Sequence, residues 1–150
     1  MSALKIFTLQ EARDLLPQLR QIITDANNHL DEMTERLQAA NQAFENCVRK
    51  LLAAAGISEA PGKGLSEAAD RLASMQQEYL VCLNSWVDQI TDLGVILRDL
   101  RSGLLDYPAR KGKFEYFLCW RLDDEDIEFW HMHDEGFAGR RPLAVLVEFF

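Results

Sequence analysis

The sequence predicts an α+β fold, in which a long antiparallel two-helix coiled-coil hairpin is capped by a small antiparallel β-sheet. Apolar residues recur in alternating steps of three and four through the first two thirds of the chain. The last third is instead rich in β-branched and aromatic residues, in short runs bounded by Gly, Pro and Asp. We expect one domain over 1–150, with the hairpin at 8–93 and the sheet and an apolar tail at 94–150.

The first predicted helix has an apolar seam that extends from Leu16 to Leu51, about five heptads. Thr8 and Glu11 form a capping-box pattern, so the helix should begin there. Pro17 lacks the backbone N–H of an ordinary helical residue, which predicts a kink or a break near residues 13–16.

The second predicted helix has a matching seam from Leu65 to Leu93, with Ser66 as its N-cap and Gly94 as its stop. Turn-forming residues separate the two helices: Gly56, Pro61, Gly62 and Gly64. Two seams joined by a short loop predict an antiparallel pair. The second helix is the shorter one, so the apolar face of the first turns of helix one needs cover from the C-terminal third.

The C-terminal third contains four predicted strands, at 95–98, 104–107, 114–121 and 127–132. A symmetric turn at Asp124-Glu125 places His131 opposite Leu118, on the face that packs against the helices. The tail, residues 143–150, is apolar on both alternations. We expect it to be either an additional strand of the sheet or a segment that pairs with a second copy.

The charge balance argues against two classes of partner. The net charge is −8, whereas nucleic acids and anionic membranes select basic surfaces. The N-terminus lacks the pattern of a signal peptide, and no apolar run approaches the roughly 20 residues of a membrane-spanning helix. The three cysteines are widely spaced, which suits a reducing compartment. We expect a cytoplasmic protein that binds neither nucleic acid nor membrane.

The segment from Trp130 to Leu143 contains candidate metal ligands. His131 and His133 share one face of a strand, a spacing that suits two ligands, and Asp134 or Glu135 could add an oxygen. Because no third ligand has a clear spacing, we expect no metal site and retain the two histidines only as candidates. The alternative is that His131 is a hydrogen-bonded structural residue near the end of the sheet.

The same segment contains a candidate anion-binding loop. Its glycines, Gly136 and Gly139, allow close backbone approach, and Arg140 can clamp a carboxylate or a phosphate. Arg98 lies in a locally basic stretch and adds positive charge. In the alternative interpretation, Arg140 fastens the loop to the sheet by pairing with one of three carboxylates: Asp99, Asp106 or Asp134.

A hydrolase would need a base and an activated nucleophile or water. His131 with Asp99 or Asp106 could supply the base, but Ser102 and Cys119 have no activating motif around them. The sequence therefore favours a non-enzymatic protein and leaves a hydrolase as the alternative, and we expect no cofactor.

A series of motifs along the chain resembles a known family. The motifs are Phe7-Thr8-Leu9-Gln10-Glu11-Ala12, Leu15-Leu16-Pro17, Gly94-Val95, Arg98-Asp99, Gly103 to Ala109, Leu118-Cys119-Trp120, Trp130-His131 and Gly136 to Leu143. On these motifs, residues 7–143 resemble the domain-of-unknown-function family 2203. The resemblance implies a bacterial cytoplasmic protein without implying an activity. It marks seven motif positions: Arg98, Asp99, Asp106, His131, Gly136, Gly139 and Arg140.

Two functions from different classes follow from these observations. The first is a non-enzymatic protein-interaction or self-association module, with a homodimer as the simplest form, because apolar residues outside the seams exceed what two helices bury. These residues are Val48, Leu52, Val81, Leu83 and Val87. The alternative is a small anionic-ligand or metal-binding protein, or a hydrolase, with a site at the sheet formed by the seven motif positions. The sequence favours the first function.

Overall fold

The computed structural model describes residues 5–54 and 63–148, and its fold is α+β, as predicted. Two long helices come first in the chain: α1 (Leu9–Ala53) and α2 (Lys63–Thr91). A five-stranded antiparallel sheet follows, with its strands in sequence order: β1 (Ile96–Asp99), β2 (Leu104–Lys111), β3 (Phe114–Trp120), β4 (Phe129–His131) and β5 (Arg141–Pro142). A 3-10 turn (Phe137–Gly139) lies between β4 and β5, and a short helix, α3 (Leu143–Glu148), follows the sheet.

Contacts group the chain into two compact units, whose boundaries lie inside both long helices. The first unit comprises residues 1–27 and 86–150, and the second comprises residues 28–85. The first unit therefore combines the beginning of α1 and the end of α2 with the whole sheet.

The predicted capping box at the start of α1 is confirmed. The Thr8 N–H donates to Glu11 Oε1 at 3.0 Å, and the Glu11 N–H donates to Thr8 Oγ1 at 3.1 Å. The bond from the Thr8 backbone is the main reason that the pKa of Glu11 lies below its usual value. The helix continues through Pro17 without interruption, so of the predicted kink or break the break is wrong. Burial of Leu16 and Leu19 on either side of Pro17 offsets the lost backbone hydrogen bond.

The second helix begins earlier than predicted. It starts at Lys63, so Ser66 lies inside the first turn and is not the N-cap. Of the four turn-forming residues, Gly64 is helical, and Gly56, Pro61 and Gly62 lie outside the described residues. The helix ends at Thr91, and Gly94 follows with a φ of +96°, a left-handed conformation that favours glycine.

One face of the sheet forms the core of the first unit. Tyr107 and Trp120 on this face are fully buried, together with Leu19 and Ile23 of α1 and Ile90 of α2. This confirms the prediction that the C-terminal third covers the first turns of helix one. Burial of this kind stabilises by roughly 1.5–3 kcal/mol for each large apolar side chain.

The predicted register of β4 against β3 is wrong by one residue. His131 lies opposite Phe117 instead of Leu118, and Phe129 lies opposite Cys119. A shift of one residue moves every side chain of a strand to the other face, so His131 does not join the apolar core face. The strand is also shorter than predicted, because residues 121–128 form a loop instead of a symmetric two-residue turn.

Arg20 of α1 holds this loop in place. Its guanidinium donates to three backbone carbonyls: Leu122 at 3.0 Å, Asp124 at 2.6 Å and Glu125 at 2.7 Å. The same group lies over the Trp120 ring, 5.1 Å from its centroid. The loop is thus fixed by a side chain that is about 100 residues away in the sequence.

Residues 143–148, the described part of the tail, are helical and do not form the predicted strand. Just before them, Arg141 and Pro142 pair with β4. Leu143 and Leu146 lie three residues apart on one side of this helix, and Leu146 is buried. The apolar tail is therefore helical here, although its β-rich composition predicted a strand. Phe149 and Phe150 lie outside the described residues.

In the second unit, α1 and α2 pack side by side in opposite directions. Leu37 of α1 borders a groove with Leu72 of α2, and Cys47 Sγ lies 3.9 Å from the Gly64 carbonyl oxygen. Most large apolar side chains of this unit are half-buried. Neither this unit nor the rest of the described chain has a helix that is long and apolar enough to cross a membrane.

Replacing Arg20 with Met should lower the free energy of unfolding by about 1–3 kcal/mol, because partly buried carbonyls lose a charged donor. The matched control is Arg36→Met, at an exposed position of the same helix. Urea unfolding followed by circular dichroism measures both variants. Equal midpoints for the two variants would contradict the role given to Arg20.

Candidate functional site

Three side chains with ionisable groups lie on the sheet face opposite the apolar core. Asp106 on β2 is directly opposite Cys119 on β3, and His131 on β4 is opposite Phe117. Residues 117 and 119 point to the same side of β3, so the three side chains share one face. All three are buried, with at most 2% of each residue exposed.

Asp106 and His131 form a hydrogen-bonded pair inside this face. His131 Nε2 lies 2.8 Å from Asp106 Oδ1, and His131 Nδ1 lies 2.8 Å from the Met132 carbonyl oxygen. A carbonyl oxygen only accepts, so Nδ1 carries a hydrogen. One further proton is therefore shared between Nε2 and the Asp106 carboxyl group, as an imidazolium facing a carboxylate or as an imidazole facing a carboxylic acid.

Arg98 of β1 reaches the other oxygen of the same carboxyl group. Its Nε donates to Asp106 Oδ2 at 2.8 Å, and its guanidinium lies over the Phe117 ring, 5.4 Å from the centroid. The Arg98 side chain is 45% exposed, whereas the Asp106 side chain is 2% exposed. Arg98 thus links the buried pair to the protein surface.

Cys119 completes the group. Burial raises the pKa of its thiol to about 11, and the negative charge of Asp106 acts in the same direction. Donor atoms of Asp106, Cys119 and His131 all lie within 4.8 Å of one another. The site therefore holds one oxygen, one sulfur and one nitrogen donor close to one another.

A cavity of about 320 Å³ adjoins this cluster. Its wall includes the four side chains described above and five residues after β4: His133, Asp134, Glu135, Gly136 and Phe137. The cluster thus has an adjoining space large enough for a small molecule.

The seven predicted ligand-binding residues divide into two groups. One group borders the cavity: Arg98, Asp106, His131 and Gly136. The other group supports the surrounding loops, and its members are Asp99, Gly139 and Arg140, the last of which also interacts with the Cys119 thiol. Asp99 accepts bonds from the Ser102 hydroxyl at 2.6 Å and the Ser102 N–H at 2.9 Å, and these bonds lower its pKa. A Cβ at Gly139 would lie 2.8 Å from Glu135 Oε2, so only glycine fits without a shift of that side chain.

Arg140 fastens its loop to the protein, but through a different carboxylate from those predicted. Its Nη1 donates to Asp124 Oδ2 at 2.8 Å. The guanidinium also lies over two aromatic rings, Phe129 at 4.0 Å and Phe137 at 4.3 Å from the centroids. The three partners that the sequence suggested are not the ones used: Asp99, Asp106 and Asp134. Asp124 lies in the loop 121–128, which differs from the symmetric turn that the sequence predicted.

The two histidines named as candidate metal ligands have different surroundings. His131 belongs to the buried cluster, whereas the His133 ring stacks on Phe117 with centroids 4.3 Å apart. His133 Nδ1 lies 3.9 Å from Glu115 Oε2. Both histidines border the cavity, and the donor atoms that converge are those of His131 with Asp106 and Cys119.

Comparison with protein families identifies the chain. The model of the family described as "Uncharacterized conserved protein (DUF2203)" matches residues 5–143. The chain belongs to the DUF2203 family. The matched segment contains the whole cluster and the cavity wall. The chain matches no curated protein and no solved structure. The DUF2203 description names no activity.

Sequence reasoning missed Cys119 as a member of the site. No activating motif lies beside Cys119 in the sequence, because the neighbours of Cys119 in the site come from other strands. Two features of the sequence could have indicated Cys119: side chains alternate between the two faces of β3, and the pairing of β3 with β2 places Cys119 opposite Asp106. These features require the correct register, and for β4 the register depends on the loop held by Arg20.

The buried pair gives a specific stability prediction. Asp106→Leu alone and His131→Phe alone should each lower the free energy of unfolding by about 3–5 kcal/mol, because each leaves one buried polar atom of the partner without its hydrogen bond. The double variant should lose clearly less than the sum of the two single effects, since two apolar residues replace the pair. Urea unfolding of the four proteins measures the coupling. A double variant that loses the sum of the two single effects would refute the prediction.

Proposed function

We propose that this DUF2203 protein binds a small polar ligand in the cavity beside Asp106 and His131. The observation that carries the proposal is the cluster of Arg98, Asp106 and His131 at the wall of a cavity of about 320 Å³. Two of these three side chains are buried, and the cavity leads to them.

The free-energy cost of burying the polar side chains of this cluster supports a functional role for them. Taking an ion pair out of water costs several kcal/mol for each ion, and apolar residues of similar size are often as stabilising. The other face of the same sheet is filled by apolar residues such as Leu105, Leu118 and Trp120. Buried titratable groups with specific charged partners beside a cavity are typical of binding and catalytic sites.

The cavity wall favours a ligand that has both hydrogen-bond donors and acceptors. Arg98 and His133 supply N–H donors, and Asp134 supplies a carboxylate. A purely anionic ligand has less support than the sequence suggested, because Arg98 holds Asp106 and Arg140 holds Asp124. A small zwitterion suits this wall best, with its anionic group towards the Arg98 N–H groups other than Nε–H, which bonds Asp106, and its cationic group towards Asp134.

NMR titration of the native protein with glycine tests this proposal, with acetate and inorganic phosphate as anionic comparisons. Glycine should give saturable shifts of the backbone amides at 104–106, 117–119 and 131–137. Asp134→Asn should weaken glycine binding about tenfold, the effect of one charged hydrogen bond. The control, Lys113→Met on the exposed β2–β3 turn, should leave it unchanged. If none of the three probes moves these amides in a saturable way, the proposal fails.

A second candidate function is self-association through the helical hairpin, which we take to be a coiled coil. Three large apolar side chains are strongly exposed in the second unit: Leu52 at 67%, Leu80 at 52% and Val81 at 58%. Leu80 and Val81 are consecutive residues of α2, and both are exposed. Exposed apolar side chains can form association surfaces, and a homodimer is the simplest assembly that would cover these two.

Size-exclusion chromatography with light scattering tests the homodimer. The native protein should have twice the mass of one chain, and the double variant Leu80→Lys/Val81→Lys should have the mass of one. Gln77→Lys, also exposed on α2, is the control for the added charge and should remain dimeric. A native protein that stays monomeric up to its highest soluble concentration would rule out self-association.

We place both candidate functions in the cytoplasm. Cys47, Cys82 and Cys119 are free thiols, the form that a reducing compartment maintains. Cys119 in particular contributes its sulfur to the buried cluster, and oxidation would remove that donor.

A further inference from the structure

The cluster in the sheet has the donor atoms of a metal site. Asp106, Cys119 and His131 come from three neighbouring strands, are buried, and place their donor atoms within 4.8 Å of one another. An oxygen, a thiol sulfur and an imidazole nitrogen together are a set that suits Zn²⁺ and similar transition-metal ions. Hard ions such as Mg²⁺ and Ca²⁺ instead prefer oxygen donors alone.

Hydrogen bonds to neighbouring groups orient two of the three donor residues, Asp106 and His131. His131 Nδ1 donates to the Met132 carbonyl oxygen at 2.8 Å, which fixes the ring with Nε2 towards the cluster. Metal-binding histidines are usually oriented by such a bond from the second ring nitrogen. Arg98 holds Asp106 Oδ2 at 2.8 Å and leaves Oδ1 on the side of His131. Both polar residues are thus held by partners outside the donor set.

We infer that Asp106 Oδ1, Cys119 Sγ and His131 Nε2 bind a transition-metal ion of the Zn²⁺ class. The inference rests on the proposed function, because it names the occupant of the inner end of the same cavity. Bonds of about 2.0–2.3 Å in a tetrahedral arrangement separate donor atoms by roughly 3.3–3.7 Å. The pair Asp106–His131, at 2.8 Å, has to open slightly, and the thiol has to approach.

The cavity gives the ion an entry path and a fourth position. Three protein ligands with one position facing a cavity is the arrangement of zinc sites that bind water or a small molecule. On binding, the thiol loses its proton and the Asp106–His131 pair loses the proton that it shares, so two protons pass to the solvent. A small polar ligand in the cavity would then complete the coordination.

Metal titration of the full chain tests the inference. The protein is stripped with EDTA, and Zn²⁺ binding is measured by competition with a chromophoric chelator. Co²⁺ is added in parallel, because a thiolate ligand gives cobalt a near-ultraviolet charge-transfer absorption. The native protein should bind one ion per chain and show this absorption.

Variants assign the ligands. Cys119→Ser should abolish the cobalt charge-transfer absorption and weaken Zn²⁺ binding at least about tenfold. Cys82→Ser, at a half-buried cysteine of the second unit, is the matched control and should keep both properties. If Cys119→Ser does not fold, a measurement on the native protein takes its place. The ¹⁵N chemical shift of His131 Nε2 should then change when Zn²⁺ is added.

Three outcomes would overturn the inference. They are a stripped native protein that binds no Zn²⁺, a Cys119→Ser variant that binds it as tightly as the native protein, and an unchanged His131 Nε2 signal. The glycine titration separates this failure from that of the proposed function. If glycine binds and Zn²⁺ does not, the cavity is a ligand site without a metal. If Zn²⁺ binds and glycine does not, the metal site stands and the zwitterion proposal is wrong.

Discussion

The contact between Arg20 and the loop 121–128 connects the first helix to the segment between β3 and β4, the strands that carry Cys119 and His131 of the candidate site. One guanidinium holds three backbone carbonyls of this loop, and the loop decides which residue of β4 lies opposite which residue of β3. With this register, His131 faces Asp106 and Cys119. A shift of one residue would turn His131 towards the apolar core and dismantle the cluster.

One face of the sheet stabilises the fold, and the other face carries the polar groups of the candidate site. The core face buries Tyr107 and Trp120 against the helices and supplies most of the apolar burial of the first unit. The opposite face carries Arg98, Asp106 and His131, which are costly to bury and border a cavity. A stable apolar face allows the other face to keep polar groups whose geometry suits ligand or metal binding.

The parts of the fold that depend on local chemistry were predictable. The reciprocal bonds of Thr8 and Glu11, the end of α2 before Gly94, and the first three strands follow from capping, glycine conformation and residue type. Local chemistry did not predict the register of β4, the start of α2 or the helical conformation of the tail. These features depend on contacts with residues distant in sequence, or on a choice between local conformations of similar energy. For the site, the residue types were identified, but Cys119 and the partner of Arg140 required the strand register.

The sequence by itself determined the α+β class, the two long helices and the residues from which a polar site could be formed. These follow from periodicity and composition, which act over a few residues at a time. Only the tertiary structure decided that Asp106, Cys119 and His131 converge and that Asp99 and Arg140 serve neighbouring loops. The reason is that side chains on different strands meet according to register, and the register of β4 is fixed by a loop held from the first helix.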